Sequence, residues 1–153
     1  TGTVNLQVVG AYQLVYTATD SSGIDVQVSR TVNVVDTTAP VITLTGDTTI
    51  THEAATAYTD GGATWTDTLD GTGSVTASGT VNVNTVGSYT LTYDYTDAAG
   101  NMAVQVSRTV NVVDTTIPTI TLIGDATVQH DAFTTYIDQG ATTADNCSAT
   151  FWA

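Results

Sequence analysis

The feature that most constrains this chain is that it repeats itself. VQVSRTVNVVDTTAP, from Val26 to Pro40, returns as VQVSRTVNVVDTTIP, from Val104 to Pro118. GTVNLQVVGAYQLVYTATDSSG begins at Gly2, and GTVNVNTVGSYTLTYDYTDAAG begins at Gly79. VITLTGDTTITHEAATAYTDGGAT, from Val41, returns as TITLIGDATVQHDAFTTYIDQGAT, from Thr119. The period is about 78 residues, with one residue inserted between Gly100 and Val104, and repeats of that length are the mark of serial arrays.

The phase of the repeat divides the chain. Residues 1–38 match only the second half of a unit, residues 39–116 form one whole unit, and residues 117–153 match only a first half. Joined, the two halves make one further unit, lacking only counterparts of Thr76 and Ala77. Half of a layered β domain cannot bury its own apolar face and leaves strand edges open. Two explanations are open. Either the tail of one copy completes the head of the next, or of a continuing polypeptide, in a head-to-tail array; or the chain is cut at arbitrary points.

Within the whole unit the hydropathy pattern has the period of strands. In SYTLTYDYTD, Ser88 to Asp97, Tyr89, Leu91, Tyr93 and Tyr95 fall on one face and Thr90, Thr92, Asp94 and Thr96 on the other. Asp97-Ala-Ala-Gly100-Asn101 is a hairpin turn. A long strand is expected over Met102 to Val113, with Val104, Val106, Arg108, Val110 and Val112 on one face. Earlier strands are expected at Val41 to Gly46, at Thr48 to Glu53, around Trp65, and in the pair GSVTASG and TVNVNTVG. Thr makes up nearly a quarter of the chain, and such β-branched residues suit a pleated surface. Six or seven short strands with turns every 8–12 residues predict an all-β sandwich.

Charge narrows the partners. Fifteen acidic residues face only Arg30 and Arg108, for a net charge of −13. That charge repels phosphate, so nucleic acid is expected to be a poor partner and anionic lipid surfaces are disfavoured. No apolar run reaches the ~18 residues of a membrane span. The chain opens on TGTVN without a leader, as an internal or processed segment would.

The residues DTTAPVITLTGD, YTDGGATWTDTLDG, VGSYTLTYDYTDAAGN and RTVNVVD together resemble the bacterial immunoglobulin-like surface repeats, including those related to hyalin repeats. The resemblance spans the chain, once as a full unit and twice as halves. It implies Ig-like β-sandwich units in tandem, used as spacer or adhesive modules outside the cell, and no enzyme activity. Ala144 to Ser148 resembles the DNCS segment of hyalin-type repeats. There a second Cys follows the GN turn; here Val104, and Asp25 or Val26, stand in that place, so the family disulfide is absent and Cys147 is expected as a buried small hydrophobe, with an interchain disulfide as the alternative.

In an Ig-like sandwich the entering linker lies near the turn between the last two strands. Asp36 enters the whole unit, Asp97 sits in that turn, and Asp67 and Asp70 fall in a loop at the same end. Carboxylates gathered there are the ligands a Ca²⁺ ion takes. The corresponding set at the next joint is Asp114 and Asp145, with Asp20 from the completing half. The alternative is that these are solvated turn aspartates bonding their own backbone. His52 and His130 occupy equivalent strand-surface positions, and His52-Glu53 is not a catalytic pair. No GxSxG elbow, P-loop, HExxH or CxxC is present. Glycan is carried as a candidate partner through Asn146-Cys147-Ser148 and exposed Thr. Phe151 and Trp152 are candidate anchors for a neighbouring copy.

The expectation is therefore a subunit of an extracellular filament or stalk, partnered by copies of itself. The alternative is an adhesin or carbohydrate-binding surface module, which would display aromatics such as Trp65 and Trp152.

Overall fold

The computed structural model describes residues 1–147. The chain is all-β: ten strands and no helix among those residues. It forms two compact units, each drawing on more than one segment of the repeat.

The first unit comprises residues 1–45, 62–77 and 93–106. Strands β1 (Gly10–Thr19) and β2 (Asp25–Val34) form an antiparallel hairpin, with Gly10 opposite Val34 and Thr19 opposite Asp25. The same unit holds a three-stranded antiparallel sheet of β3 (Val41–Leu44), β5 (Ala63–Asp67) and β6 (Gly71–Val75), in the order β3-β5-β6. Alternation decides what these strands bury. Ile42 on β3, Ala63 and Trp65 on β5, and Val75 on β6 are buried, while Thr43, Thr64 and Thr66 face outward. Gly73 is a packing requirement: a Cβ there would lie 2.6 Å from Trp65 Nε1, so only glycine leaves room for the indole.

The second unit comprises residues 46–61, 78–92 and those from Ser107 on. Its larger sheet has the order β4-β8-β7, built from β4 (Thr49–Glu53), β8 (Val106–Val113) and β7 (Gly87–Tyr93). Strand β4 runs parallel to β8, Thr49 opposite Thr109 and Glu53 opposite Val113. Leu91, Val110 and Val112 are buried, and Arg108 shares their face. Arg108 is 1% exposed, and its guanidinium pairs with Asp60 while its Nε donates to the Asp47 carbonyl at 2.9 Å. A buried cation needs such partners, because an unpaired one would carry its full desolvation cost. Strands β9 (Thr119–Leu122) and β10 (Ala141–Ala144) form a separate antiparallel pair.

Three strand expectations are corrected. TVNVNTVG, Thr80 to Gly87, is a turn leading into β7: Asn82 Oδ1 accepts from the Asn84 N–H at 3.1 Å, and such Asx turns compete with a ladder. The strand expected from Met102 begins at Val106. Val104 is 85% exposed, and the Gln105 side chain donates to Asp94 at 2.8 Å instead. The strand expected to reach Asp97 ends at Tyr93, beyond which Tyr95 turns to stack on Trp65.

The head segment, residues 1–38, keeps the local geometry of its counterpart in the whole unit. Gly79 has φ +105° and its site for a Cβ lies 2.8 Å from the Thr90 carbonyl; Gly2 has φ +148° and meets the Gln13 carbonyl at 2.6 Å. The Tyr89 hydroxyl donates to the Thr85 carbonyl at 2.8 Å, and the Tyr12 hydroxyl to the Val8 carbonyl at 2.9 Å.

Candidate metal centre

Three aspartates of the first unit lie close together. Asp36 follows β2, Asp67 closes β5, and Asp97 opens the turn before Met102. One carboxylate oxygen from each lies within 4.8 Å of the other two. Among the described residues this is the one group of three His, Cys, Asp or Glu side chains so placed.

Local structure sets the posture of each. Asp67 Oδ1 accepts from the N–H groups of Leu69 at 2.7 Å and Asp70 at 3.0 Å, which closes the β5–β6 hairpin and commits one oxygen to the turn. Asp36 Oδ1 likewise accepts from the Thr38 N–H at 3.0 Å. Each residue's other oxygen is buried and has no hydrogen-bond partner. Asp97 is itself buried, and its carboxylate accepts from the Asn101 N–H at 2.7 Å and the Asn101 side-chain amide at 2.8 Å. The same amide contacts the Asp36 carbonyl at 3.3 Å.

Electrostatics point the same way. Burial opposes ionisation of Asp97, but hydrogen bonds from Asn101, Gly100 and Ala99 outweigh it and hold the carboxyl below its ordinary value. Tyr95 is pushed up, first by desolvation and then by the negative charges of Asp70, Asp97 and Asp67. The pocket is thus strongly anionic, and it leaves two buried carboxylate oxygens without donors. Such orphaned groups are costly, and a bound cation would satisfy them. The oxygen spacing fits the donor set: Ca²⁺ takes six to eight oxygens at about 2.3–2.6 Å, so two ligands across the ion lie up to roughly 5 Å apart. Asp36, Asp67 and Asp97 are the residues that would hold it.

The other aspartates expected as ligands are placed differently. Asp70 lies outside the triad; its Oδ2 accepts from the Ala98 N–H at 2.7 Å and ties the Asp97 turn to the β5–β6 hairpin. Asp114 Oδ1 accepts from the Thr116 N–H at 3.2 Å, and Asp145 Oδ1 from the Asn146 N–H at 2.8 Å. Asp20 caps its own turn through the N–H groups of Ser22 at 2.8 Å and Ile24 at 2.9 Å.

Sequence reasoning missed two polar roles. One is Asn101, whose amide bridges two aspartates; its signal was an Asn beside the turn glycine. The other is Glu53 in the second unit. Its carboxylate accepts from the Thr115 N–H at 3.0 Å and hydroxyl at 2.7 Å, from the Thr116 hydroxyl at 3.0 Å and from the Asn146 amide at 3.1 Å. The Thr115 hydroxyl is the largest cause of a Glu53 pKa held down to about 2; the Thr115 N–H and the bonds from Asn146 and Thr116 add to it against partial desolvation.

The remaining candidates fall into place simply. His52 Nε2 contacts Thr56, and its ring meets Tyr58 edge-on at 5.2 Å. Cys147 is a free thiol and half-buried rather than buried, its Sγ 3.9 Å from the Asn84 carbonyl. Trp65 is 9% exposed. Ser148, Phe151 and Trp152 lie outside the described residues. Among the described residues no helix is long and apolar enough to cross a membrane.

The sequence profile of the family described as bacterial surface protein, Ig-like domain matches residues 1–34 and 42–112, more than half of the chain. The crystal structure of a lipoprotein from Bacteroides thetaiotaomicron is similar at 27% identity and a TM-score of 0.43, over 51% of this chain. The chain spans 39% of that structure's length. No curated protein matches the chain significantly.

Proposed function

Because this chain belongs to the bacterial surface protein Ig-like domain family, we propose that this surface domain is a load-bearing segment of an extracellular filament or stalk. Its incomplete units are completed head-to-tail between copies, and a Ca²⁺ ion at Asp36, Asp67 and Asp97 stiffens the joint where the linker enters the whole unit.

The observation that carries the reading is the mismatch in burial between equivalent residues. Ile42 is 8% exposed, whereas its counterpart in the tail, Ile120, is 64% exposed. Tyr93 is fully buried, whereas its counterpart in the head, Tyr16, is 49% exposed. Each half thus presents the apolar side chains a sandwich interior requires, and at about 25 cal/mol per Å² their burial favours association. A surface closed by unlike faces of successive copies propagates rather than stopping at a dimer.

The adhesin or carbohydrate-binding alternative calls for exposed aromatics. Trp65 does not serve it, because its ring is stacked against Tyr95.

Sedimentation velocity over a wide concentration range, followed by electron microscopy, tests the reading. Species that lengthen with concentration are expected. Particles of one size at every concentration would remove the filament.

A further inference from the structure

The linker after the whole unit and the segment beyond it return to one carboxylate. Glu53, at the end of β4, accepts from the Thr115 N–H at 3.0 Å and from the hydroxyls of Thr115 at 2.7 Å and Thr116 at 3.0 Å. Pro118, whose ring fixes φ, then leads into β9, and β10 pairs with β9 along its length. Two residues after β10 the chain comes back. The Asn146 amide donates to Glu53 Oε1 at 3.1 Å and to the Ala54 carbonyl at 3.1 Å, and Cys147 Sγ lies 3.9 Å from the Asn84 carbonyl. The receiving surface is firm. Ala54 is fully buried, its N–H donates to the Val113 carbonyl at 2.7 Å, and the Ala55 N–H donates to the Val83 carbonyl at 2.8 Å.

We propose that Asn146 is a latch between consecutive repeats: its side-chain amide docks the following repeat on Glu53 and Ala54 of the whole unit and stops the linker, Asp114 to Pro118, from acting as a hinge. A segment held only by its linker pivots about it; a second attachment farther along the chain removes that freedom. Asn146 has the chemistry for the task. An ionised carboxylate and a carbonyl are both acceptors with no hydrogen of their own, and a primary amide brings two donors on one nitrogen. The bond to the carboxylate is charge-assisted and so the stronger of the two. The repeat supplies a comparison: Thr68 stands at the equivalent place in the whole unit, and a hydroxyl with one hydrogen cannot bridge such a pair. The metal centre gathers the carboxylates of Asp36, Asp67 and Asp97, whereas this joint is closed by direct hydrogen bonds and needs no ion. Every contact lies within one chain, so the latch does not depend on head-to-tail assembly.

Backbone amide NMR relaxation of the full chain reads the latch directly, in chelator and at a concentration where sedimentation velocity shows a single species. In the unsubstituted chain the amides of β9 and β10 are expected to report the same rotational correlation time as those of β4 and β8. Asn146 is exposed, so Asn146→Thr and the isosteric Asn146→Asp leave the interior of both sheets untouched. Each is expected to lose the common correlation time, β9 and β10 tumbling faster, while the chemical shifts of β9 and β10 stay those of strands. Asn146→Asp is expected to release the segment more fully, because it sets a second carboxylate against Glu53. A shared correlation time in both variants would overturn the latch, as would independent tumbling of β9 and β10 in the unsubstituted chain. Loss of the strand shifts in both variants would make Asn146 part of that pair's own fold, and would overturn it too.

Discussion

Trp65 and Tyr95 stack with their ring centroids 4.1 Å apart and their planes 13° from parallel. The indole also lies against Gly73, and the phenol senses the charges of Asp67, Asp70 and Asp97. Packing and the anionic pocket therefore share one wall.

Removing that wall should cost stability. Trp65→Ala deletes a large buried aromatic and is expected to destabilise by about 3–5 kcal/mol. Urea unfolding followed by far-ultraviolet circular dichroism measures it. A loss under ~1 kcal/mol would mean that the stack contributes no more than a surface contact.

Calcium should raise the melting temperature, and chelator should reverse the rise. At a free concentration about 100 times Kd, binding adds about 2.7 kcal/mol. Asp67→Asn is expected to abolish the shift. In chelator the same substitution should be neutral or stabilising, because it removes one of three crowded carboxylates. Calorimetric melts of both proteins, with and without Ca²⁺, decide the matter; an unshifted melt of the unsubstituted chain would sink the ion.

Acid should loosen the grip of Glu53 on the linker residues Thr115 and Thr116. Its folded pKa is about 2 against an ordinary 4.5, so the native state favours the ionised form. For a depressed carboxylate, the stabilisation is fully present above about pH 4.5 and is lost as pH falls toward 2. Glu53→Gln is expected to flatten the dependence of the urea midpoint on pH between those values while leaving its slope above pH 5 unchanged. Parallel profiles for the two proteins would assign the acid sensitivity to other groups.

The sequence by itself determined the β class and the repeat of about 78 residues, and it offered a set of linker and turn aspartates as candidate ligands. Strand alternation is a local property, and repetition shows which positions answer one another. Asp36, Asp67 and Asp97 were among six aspartates that the sequence offered together with Asp70, Asp114 and Asp145, and only the tertiary structure separates the three from the rest. Tertiary structure decided the rest, because the same residue types took different roles. Asp70 became a turn anchor beside three aspartates that face one another. Asn101 became a bridge between two of those aspartates, and Glu53 became the clamp on a linker far from it in sequence. Arg108, an unexpected cation on an apolar face, found Asp60, whereas the identical local sequence around Arg30 stays exposed. Local sequence sets what a side chain can do. Which partners reach it depends on the segments brought alongside, and those are distant along the chain.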